Sequence, residues 1–250
     1  MIQISHLCAG YGEGMVLQDQ SFSIAKGSVT TLVGPNGCGK TTLLRALTGQ
    51  LSQITGDISI CGKDIAAYGR KELARTVALL PQTRNTPDLT VEALVQHGRY
   101  PHLGLSRRLT EKDRQLVSRA MEQTDVANFA HLPLGELSGG QLQRAYIAMA
   151  LAQDAQIIAL DEPTAHLDLN HQFELLELVR KLQQVGKTVI LVLHDLDHAL
   201  RCSDRLLLLE QGRLVQWGTP RALLDSGALE QVFRVRIQET EGGYLFSTGG

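Results

Sequence analysis

The stretch Gly34-Pro35-Asn36-Gly37-Cys38-Gly39-Lys40-Thr41-Thr42 decides the fold of this chain. It matches the pattern G-x-x-x-x-G-K-[ST], whose glycines let consecutive backbone N–H groups turn inward around an anion. The apolar run Val29–Val33 before it predicts a buried strand, and leucines at helical spacing predict a helix over Thr41–Thr48. Strand, glycine loop and helix in this order predict a phosphate-binding loop, because the helix N-terminus adds partial positive charge.

Three side chains of this loop have predicted roles of their own. Lys40 can reach the β- and γ-phosphates of a nucleotide, and the Thr41 hydroxyl can ligate Mg²⁺. Cys38 lies inside the loop, and we expect its thiol either to be open to alkylation or to serve as a small space filler. A glycine turn that merely caps a helix is the alternative interpretation, and the complete motif in its strand–helix context argues against it.

The composition limits the classes of protein to which the chain can belong. With 250 residues, 43% of them hydrophobic, it can form one large α/β domain or two small ones. A net charge of −2 gives no sign of a nucleic-acid partner. The four scattered cysteines fit reduced thiols, and the N-terminus has no signal-peptide pattern. The longest apolar run, Ala145 to Ala152, is far shorter than the ~20 residues of a membrane helix, so we expect any membrane role to depend on a partner.

A second predicted strand ends in two carboxylates. The apolar run Ile157–Leu160 is followed directly by Asp161 and Glu162. An exposed acidic turn is the plain structural interpretation, but after a phosphate loop we favour a catalytic one. Asp161 is predicted to bind Mg²⁺, directly or through its water, and Glu162 to polarise the attacking water as a general base.

Polar side chains also end two other predicted strands. Gln82 closes the strand predicted over Val77–Gln82, where its amide oxygen can contact Mg²⁺ or a water; taken alone it would be an ordinary polar strand end. His194 follows the strand predicted over Thr188–Leu193. We favour a γ-phosphate contact for His194 over a metal pair with His198, because no Glu or Cys supplies a third ligand. His198 is predicted to be solvated or to cap a helix.

Residues 83 to 136 change character, because strand patterns disappear there. Helices are predicted over Thr90–His97 and over Thr110–Thr124, the second opened by the capping box Thr-Glu-Lys-Asp. The turn Gly98–Gly104 joins them. We interpret the region as a helical insertion at about 83–156 within a single domain of 1–250, whose core covers about 1–82 and 157–250.

Leu137-Ser138-Gly139-Gly140-Gln141 opens a helix that is predicted to run to Ala152. Ser138 is a good cap residue, and the glycines leave backbone N–H groups free to receive an anion. One chain should not need two such helix ends for one triphosphate. The second is therefore predicted to serve a nucleotide that is held by another copy of the protein.

Taken together, these segments resemble the ATP-binding subunit of ATP-binding-cassette (ABC) transporters over essentially the whole chain. LSGGQ is the most diagnostic motif, because ordinary phosphate-loop NTPases lack it. The residues that carry the resemblance are Tyr11 as an adenine-stacking aromatic, Gly34–Thr42 as Walker A, Gln82 as the Q-loop, Leu137–Gln141 as the signature, Ile157–Glu162 as Walker B, Ala165–Asp168 as the D-loop and His194 as the switch histidine. One departure is His166, where the D-loop commonly carries a small residue.

The resemblance implies an α/β fold: a P-loop NTPase core of the ABC type with a mostly parallel sheet, N-terminal antiparallel strands and an inserted helical subdomain. It implies that ATP and Mg²⁺ bind, and that two copies form a head-to-tail homodimer in which each ATP lies between one Walker A and the other copy's signature. The implied catalytic residues are Lys40, Gln82, Glu162 and His194; the implied metal ligands are Thr41, Gln82 and Asp161; and the implied ATP contacts are Tyr11, Gly34, Pro35, Asn36, Gly37, Cys38, Gly39, Lys40, Thr41, Thr42, Ser138, Gly139, Gly140 and Gln141.

The partners follow from the same resemblance. The subunit is expected to be peripheral, on the cytoplasmic face of the cell membrane, and to drive integral-membrane permease subunits, with an extracytoplasmic substrate-binding protein as an indirect partner and no nucleic acid. An exporter ATPase and a soluble, non-transport ABC ATPase are the alternatives. Soluble members usually carry two cassettes or a long coiled coil, and this sequence has one set of motifs and no sustained heptads.

A finer resemblance concerns Val95 to His102, which reads Val-x-x-Gly-Arg-x-Pro-His. It is similar to the helical-domain stretch of ATPases that serve ferric siderophore, haem and cobalamin importers. Arg99 and His102 are expected to offer hydrogen-bond donors to a partner's helix end, with Pro101 making the turn rigid. A surface turn between helices is the alternative interpretation. The transported molecule itself never touches this subunit, and the sequence does not identify it.

Overall fold

The computed structural model describes residues 1–12, 14–82, 86–104, 108–165 and 167–248. The predicted start of the helical insertion at residue 83 and the D-loop departure His166 lie outside the described residues. The strands, in chain order, are β1 (Ile2–Tyr11), β2 (Gly14–Ile24), β3 (Val29–Val33), β4 (Gln53–Ile60), β5 (Lys63–Asp64), β6 (Val77–Leu80), β7 (Ile157–Asp161), β8 (Thr188–Val192), β9 (Arg205–Glu210), β10 (Arg213–Gly218), β11 (Val235–Thr240) and β12 (Gly243–Thr248). The α-helices are α1 (Lys40–Leu47), α2 (Arg70–Thr76), α3 (Val91–His97), α4 (Glu111–Gln123), α5 (Gly139–Ala152), α6 (Leu169–Gln184), α7 (Leu196–Cys202), α8 (Pro220–Asp225) and α9 (Ala228–Phe233).

A six-stranded sheet with the order β10-β9-β3-β8-β7-β6 forms the centre of the molecule. All of its neighbouring strands run parallel except the β9–β10 hairpin. Every residue of β3, β7 and β8 is buried, which explains why these strands are mostly apolar and do not alternate with polar residues. The predicted mostly parallel α/β core is confirmed.

Two hydrophobic clusters cover the two faces of this sheet. Because side chains alternate along a strand, Ile157 and Ala159 of β7 pack with α1 and the N-terminal strands. Ile158 and Leu160 of the same strand pack with α6, α7 and the helices that follow β6. The sheet therefore lies between two hydrophobic layers, and both layers pack against its strands.

The N-terminal strands form a separate antiparallel sheet with the order β2-β1-β4-β5, as predicted. β1 and β2 pair as far as Tyr11 and Gly14. Register shifts interrupt the pairing of β1 with β2, so buried and exposed residues do not alternate strictly along these strands. The hairpin that results extends toward the phosphate loop.

The described residues between β6 and β7 form helices α3, α4 and α5 and short 3-10 turns at Tyr100–His102, Ala127–Phe129 and Leu134–Glu136. The predicted capping box of α4 is present, because the Thr110 hydroxyl accepts from the Asp113 N–H at 3.2 Å and the Asp113 carboxylate accepts from the Thr110 N–H at 2.9 Å. The exact bounds of the helical insertion stay a prediction.

The chain closes with α8, α9 and the hairpin β11–β12, whose turn brings Gly243 opposite Thr240. Within the described ranges, no helix combines the length and the apolar character that a membrane span needs.

Candidate functional site

The phosphate loop joins the C-terminal end of β3 to the N-terminus of α1. Gly39 caps α1 with a φ of 107°, and Gly37 has a φ of 76°, so both occupy backbone conformations that favour glycine. At Gly34 a β-carbon would collide with the carbonyl oxygen of Leu209. The loop is thus built from glycines for two reasons, the left-handed conformation and the close approach of β9.

Lys40 begins α1, and only 6% of its surface is exposed. Its ammonium donates to the Gly34 carbonyl oxygen at 2.7 Å and to the Pro35 carbonyl oxygen at 3.0 Å. These bonds hold the charge inside the curve of the loop, where the motif predicts phosphate. The third donor position of the ammonium group and the turned N–H groups can then serve the same anion.

Asp161 and Thr41 bring two oxygens together at the next strand end. The Thr41 hydroxyl donates to Asp161 Oδ1 at 3.3 Å, and Asp161 is 2% exposed. Burial raises the pKa of Asp161 above its ordinary value, and the hydrogen bond from Thr41 opposes that rise. The adjacent charge of Glu162 raises the pKa of Asp161 further. A neighbouring cation would stabilise the ionised form of this buried carboxylate.

Glu162 follows β7 with a φ of 50°, a conformation that turns its side chain out of the strand and into the open end of the sheet. His194 Nε2 lies 2.5 Å from Glu162 Oε1, and Gln82 Nε2 donates to Glu162 Oε2 at 2.6 Å. Both residues had been placed near this edge from the sequence. The structure adds that their common contact is the Glu162 carboxylate.

These residues line one cavity of about 380 Å³ at the carboxyl ends of the parallel strands. Nine of its ten lining residues were predicted from the sequence. The ten are Val16, Asn36, Gly37, Gly39, Lys40, Thr41, Thr42, Gln82, Glu162 and His194. Ligands in open α/β sheets bind at this kind of strand edge. The cavity is therefore the candidate active site.

Two further residues of the site escaped the sequence analysis. Val16 lines the cavity from β2, and strand pairing from Tyr11 through Gly14 is the signal that could have placed it there. Arg45 lies one helical turn after Thr41 on α1, and its charge lowers the pKa of Asp161. Helical spacing from Thr41 was the available signal for Arg45.

Tyr11 ends β1 and leaves 46% of its surface exposed. Its hydroxyl accepts from Arg45 Nη1 at 3.1 Å, which ties the ring to α1 beside the phosphate loop. An exposed ring held in one orientation can receive a base on its face. Stacking on adenine stays a prediction.

The signature residues Ser138–Gln141 are not among the residues that line this cavity in the described part of the chain. Ser138 caps α5, its hydroxyl accepting from Gln141 N–H at 3.2 Å, and Gln141 Oε1 accepts from Ser138 N–H at 2.9 Å. Ser138 and Gly139 are exposed. The second helix end thus faces outward, and its own chain's phosphate loop does not share the cavity with it.

The structure decides between the two roles expected for Cys38 and shows that both roles expected for His198 are wrong. Cys38 is 3% exposed, and burial raises the pKa of its thiol, so it is a loop filler and is not open to alkylation. His198 is neither solvated nor a cap: it is 4% exposed and its ring meets Phe173 edge-on at 5.6 Å. Asp195, not His198, caps α7, because its carboxylate accepts from the His198 N–H at 2.9 Å.

The turn Gly98–Gly104 also differs from its prediction. Arg99 is 4% exposed, and its guanidinium donates to Asp113 Oδ1 at 2.9 Å and to the Ala152 carbonyl oxygen at 2.8 Å. His102 Nε2 lies 2.9 Å from the Gln153 carbonyl oxygen. Both side chains do bind a helix end, but it is the C-terminus of α5 in their own chain and not that of a partner.

The chain matches the family described as "ABC transporter" over residues 17–165. The chain belongs to the ABC transporter family. It is 42% identical to the iron(3+)-hydroxamate import ATP-binding protein FhuC of Bacillus subtilis, over 94% of this chain and 88% of that one. It is also 42% identical to the ferric enterobactin transport ATP-binding protein FepC of Escherichia coli, over 92% of this chain and 86% of that one. Among solved structures, a dimeric bacterial ABC transporter cassette superposes with a TM-score of 0.79 at 27% identity, covering 88% of this chain and 99% of that one.

Membership in the ABC transporter family gives the cavity its ligand and reaction class. The chain is the ATP-binding subunit of an ABC transporter, an ATPase that couples hydrolysis of ATP to transport. The family resemblance drawn from Gly34–Thr42, Leu137–Gln141 and Ile157–Glu162 is confirmed. What remains to be assigned is the role of each residue in the cavity.

Proposed function

We propose that this subunit hydrolyses ATP with Glu162 as general base and so powers the import of a ferric siderophore. The observation that carries the chemical assignment is the contact of His194 and Gln82 with the two oxygens of the Glu162 carboxylate. A carboxylate held in this way can orient a water toward the γ-phosphate and accept its proton. ATP and water then give ADP and phosphate.

Lys40 and the loop amides provide the fixed positive potential in this scheme. The Lys40 ammonium is already anchored by the carbonyl oxygens of Gly34 and Pro35, so little side-chain entropy is lost when it binds the β- and γ-phosphates. His194, with 48% of its side chain exposed, reaches from Glu162 toward the same space and contacts the γ-phosphate. The proposal makes Lys40 a binding group and His194 an orienting one.

The donor set fits Mg²⁺, which prefers oxygen ligands. The Thr41 hydroxyl and the Asp161 carboxylate lie within 3.3 Å of each other, and the Gln82 amide supplies a third oxygen from the same cavity. The raised pKa of buried Asp161 supports the assignment of a compensating cation to this site. When bound, the ion neutralises charge on the β- and γ-phosphates; Thr41, Asp161 and Gln82 would hold it.

The complete site is proposed to form only between two copies arranged head to tail. Ser138, Gly139 and the N-terminus of α5 face outward, which suits them to a γ-phosphate held by the other copy. The dimeric cassette that this chain resembles supports the arrangement. ATP would close the pair, and hydrolysis would reopen it.

A cross-link tests the head-to-tail arrangement. Gly37 is unsuitable for substitution because of its positive φ, whereas Asn36 is exposed on the same loop. Asn36→Cys and Ser138→Cys chains, each lacking Cys8 and Cys61, are mixed with ATP and oxidised. We expect a disulfide between the two kinds of chain and none when either is oxidised alone. A disulfide that forms only within a chain carrying both cysteines, and never between two chains, would overturn the head-to-tail arrangement.

The cargo and the partners rest on the relatives. Both named relatives serve import of iron chelates, and each aligns over more than nine-tenths of this chain. We propose the same use here, at the cytoplasmic face of the membrane, with permease subunits and an external substrate-binding protein. Haem and cobalamin importers are the nearest alternatives, followed by an exporter or a soluble ATPase. The proposed domain is single, 1–250, with the insertion at about 83–156.

Uptake assays test the cargo. A strain that lacks the gene is supplied in turn with ferric hydroxamate, ferric enterobactin, haem and cobalamin. We expect loss of uptake of a ferric siderophore, restored by the wild-type gene and not by Glu162→Gln. Unchanged uptake of both ferric siderophores would overturn the proposed cargo, and loss of haem or cobalamin uptake instead would name the alternative.

The permease is proposed to dock in a cleft of about 460 Å³ between the core and the helical insertion. Its walls include Arg70 and Leu73 of α2 on one side and Tyr100 and Pro101 on the other. Tyr100 is 56% exposed, in contrast to the buried Arg99 before it. The exposed part of the turn is thus free to meet a partner, although its two strongest hydrogen-bonding side chains are not.

A further inference from the structure

The C-terminal hairpin β11–β12 is bound to α7, the helix that begins two residues after His194. The Asp197 carboxylate pairs with Arg201 Nε at 2.7 Å and accepts from the Tyr244 N–H at 3.2 Å. Arg201 Nη2 donates in turn to the Gly242 carbonyl oxygen. We refer to Asp197, Arg201 and the hairpin turn Gly242–Tyr244 as the clip.

The clip is closely fitted on the hairpin side. A β-carbon at Gly243 would collide with the Arg201 guanidinium, and the φ of 154° at Gly243 is one that side chains rarely adopt. At the neighbouring Gly242, a β-carbon would meet nothing within 4 Å. Of the two adjacent glycines, therefore, only Gly243 combines a strained φ with a close approach to α7, and a side chain added there must move the flexible end of Arg201.

The hairpin is also bound to the C-terminal helices, through the middle of β11 and through the residue that pairs with Tyr244. The Ile237 N–H donates to Glu230 Oε1 of α9 at 2.7 Å, and Arg221 of α8 pairs with Glu239 at 2.8 Å. Ile237 and Tyr244 pack against the main hydrophobic cluster. The hairpin is consequently a brace between α8–α9 and the outer side of α7.

The N-terminal end of α7 lies next to the catalytic cavity, because His194 precedes the helix by two residues and lines that cavity. Asp195 caps the helix, so the backbone from His194 to Leu196 is fixed relative to the helix axis. His194 itself is exposed, and its ring is held mainly by the 2.5 Å contact with Glu162. The direction in which His194 points thus depends on where α7 starts.

We propose that the clip positions His194, with Asp197 and Arg201 as positioning residues of the ATPase site. This inference rests on the proposed function, which places His194 against Glu162 and the γ-phosphate. The clip touches neither nucleotide nor Glu162, so it acts on turnover and leaves the phosphate loop unchanged. A small displacement of an orienting group is enough to slow a reaction that depends on alignment.

Matched glycine variants test the proposal from the hairpin side. Gly243→Ala pushes Arg201 away, whereas Gly242→Ala alters the same turn without a collision. We expect Gly243→Ala to lower kcat about fivefold with KM for ATP within about twofold, and Gly242→Ala to keep both. Asp197→Ala, made on the α7 side, should reproduce the loss of Gly243→Ala.

Two readouts separate positioning from a general loss of stability. In a His194→Ala background, Gly243→Ala should change kcat no further, because the group that the clip orients is gone. In histidine-labelled protein, the imidazole resonances assigned to His194 should shift in Gly243→Ala and stay unchanged in Gly242→Ala. The nuclear magnetic resonance readout needs no residual activity.

Equal losses of kcat in the His194 and His194→Ala backgrounds, or unshifted His194 resonances in Gly243→Ala, would overturn the proposal and leave the ATPase assignment intact. Failure of the proposed function looks different. It would show as wild-type turnover in His194→Ala or in Glu162→Gln.

Discussion

The strand edge that holds Glu162 and the turn that holds Arg99 present the same kinds of side chain in opposite ways. At the strand edge, His194 keeps 48% of its side chain exposed and meets Glu162 across an open cavity. At the turn, Arg99 is 4% exposed and pairs with Asp113 inside the protein. Charged residues in these two loops therefore differ in role: some are available to a ligand, and others form buried pairs that stabilise the fold.

Geometry explains the division. Parallel strands bring their carboxyl ends to one edge, where the loops begin and where the described residues line an open cavity. The turn instead lies against the end of α5, whose last carbonyl groups lack partners within the helix. The Arg99 guanidinium and the His102 ring satisfy those carbonyl groups, of Ala152 and Gln153. The turn thus completes a helix end, and the strand edge leaves its groups open to the cavity proposed to bind ATP.

The largest effect is expected at the strand edge. Glu162→Gln should lower turnover by about 10²- to 10⁴-fold, because an amide cannot accept the proton of the attacking water. Lys40, Thr41 and Asp161 are untouched, so ATP should still bind. Steady-state phosphate release and equilibrium binding of a fluorescent ATP analogue measure the two quantities.

Gln82→Ala is a suitable companion to Glu162→Gln, because it removes the hydrogen bond to Glu162 and keeps the general base. It should retain more turnover than Glu162→Gln. If Glu162→Gln hydrolysed ATP at the wild-type rate, Glu162 would not be the general base. The proposed functional difference between the strand edge and the turn would then be wrong.

At the turn, the largest effect should be on stability. Arg99→Ala leaves the Asp113 carboxylate buried without its ion partner, which should lower the free energy of unfolding by about 3–5 kcal/mol. Urea denaturation followed by circular dichroism measures the loss. Arg114→Ala is the matched control. Arg114 pairs with Glu111 on α4, the helix that also carries Asp113, but this pair is exposed. Its removal should therefore lower the free energy of unfolding by less than about 1 kcal/mol.

A loss in Arg99→Ala no larger than that in Arg114→Ala would show that Arg99 is not part of the fold, and the original expectation of a partner contact would return. Asp113→Asn in the Arg99→Ala background sharpens the comparison. It removes the unpaired charge and should recover part of the lost stability.

Acid should destabilise the turn in a defined pH window. Burial alone would raise the pKa of Asp113, but hydrogen bonds from Thr110 and the Arg99 guanidinium outweigh it and lower the pKa from 3.8 to about 2. The lowered pKa contributes stability that is present above about pH 4 and is lost as the pH falls toward 2. The loss amounts to about 2 kcal/mol.

Urea midpoints between pH 5 and 2, compared with those of Asp113→Asn, isolate this contribution, because the variant has no proton to bind at that site. The wild-type protein should lose more stability than Asp113→Asn over the window. Parallel curves for the two proteins would mean that Asp113 is not held as an ion by Thr110 and Arg99.

The sequence predicted the strand edge well and the turn poorly, for one physical reason. Gly34–Lys40, Asp161 and Glu162 act where their own strand ends, so local pattern and parallel topology together place them. The role of Arg99 depends on Asp113, fourteen positions away, and on a carbonyl group at Ala152. The local sequence pattern does not reveal such distant partners. It therefore cannot distinguish an arginine that is buried from one that is exposed.

The same reasoning covers the smaller misses. Val16 reaches the cavity because β1 and β2 pair as far as Tyr11 and Gly14. His198 is buried where α7 packs against α6, with its ring edge-on to Phe173. The first depends on the exact extent of a hairpin and the second on a neighbour that is distant in sequence, whereas the motifs depend on residues beside them.

The smallest effect on the isolated subunit is expected at Tyr100, the exposed neighbour of Arg99. Its ring contacts His97 with centroids 4.5 Å apart and otherwise faces the cleft proposed for the permease, so Tyr100→Ala should change stability by less than about 0.5 kcal/mol and leave basal ATPase unchanged. In the reconstituted transporter, the same change should reduce permease-stimulated ATPase and uptake, because a large aromatic anchor is lost from the contact. Phe246→Ala removes another exposed aromatic, from the C-terminal hairpin and outside the lining of the cleft, and should leave stimulation intact. Equal stimulation in the Tyr100→Ala and Phe246→Ala transporters would place the permease elsewhere; a loss of basal activity in Tyr100→Ala would show that the exposed half of the turn, like Arg99, belongs to the fold.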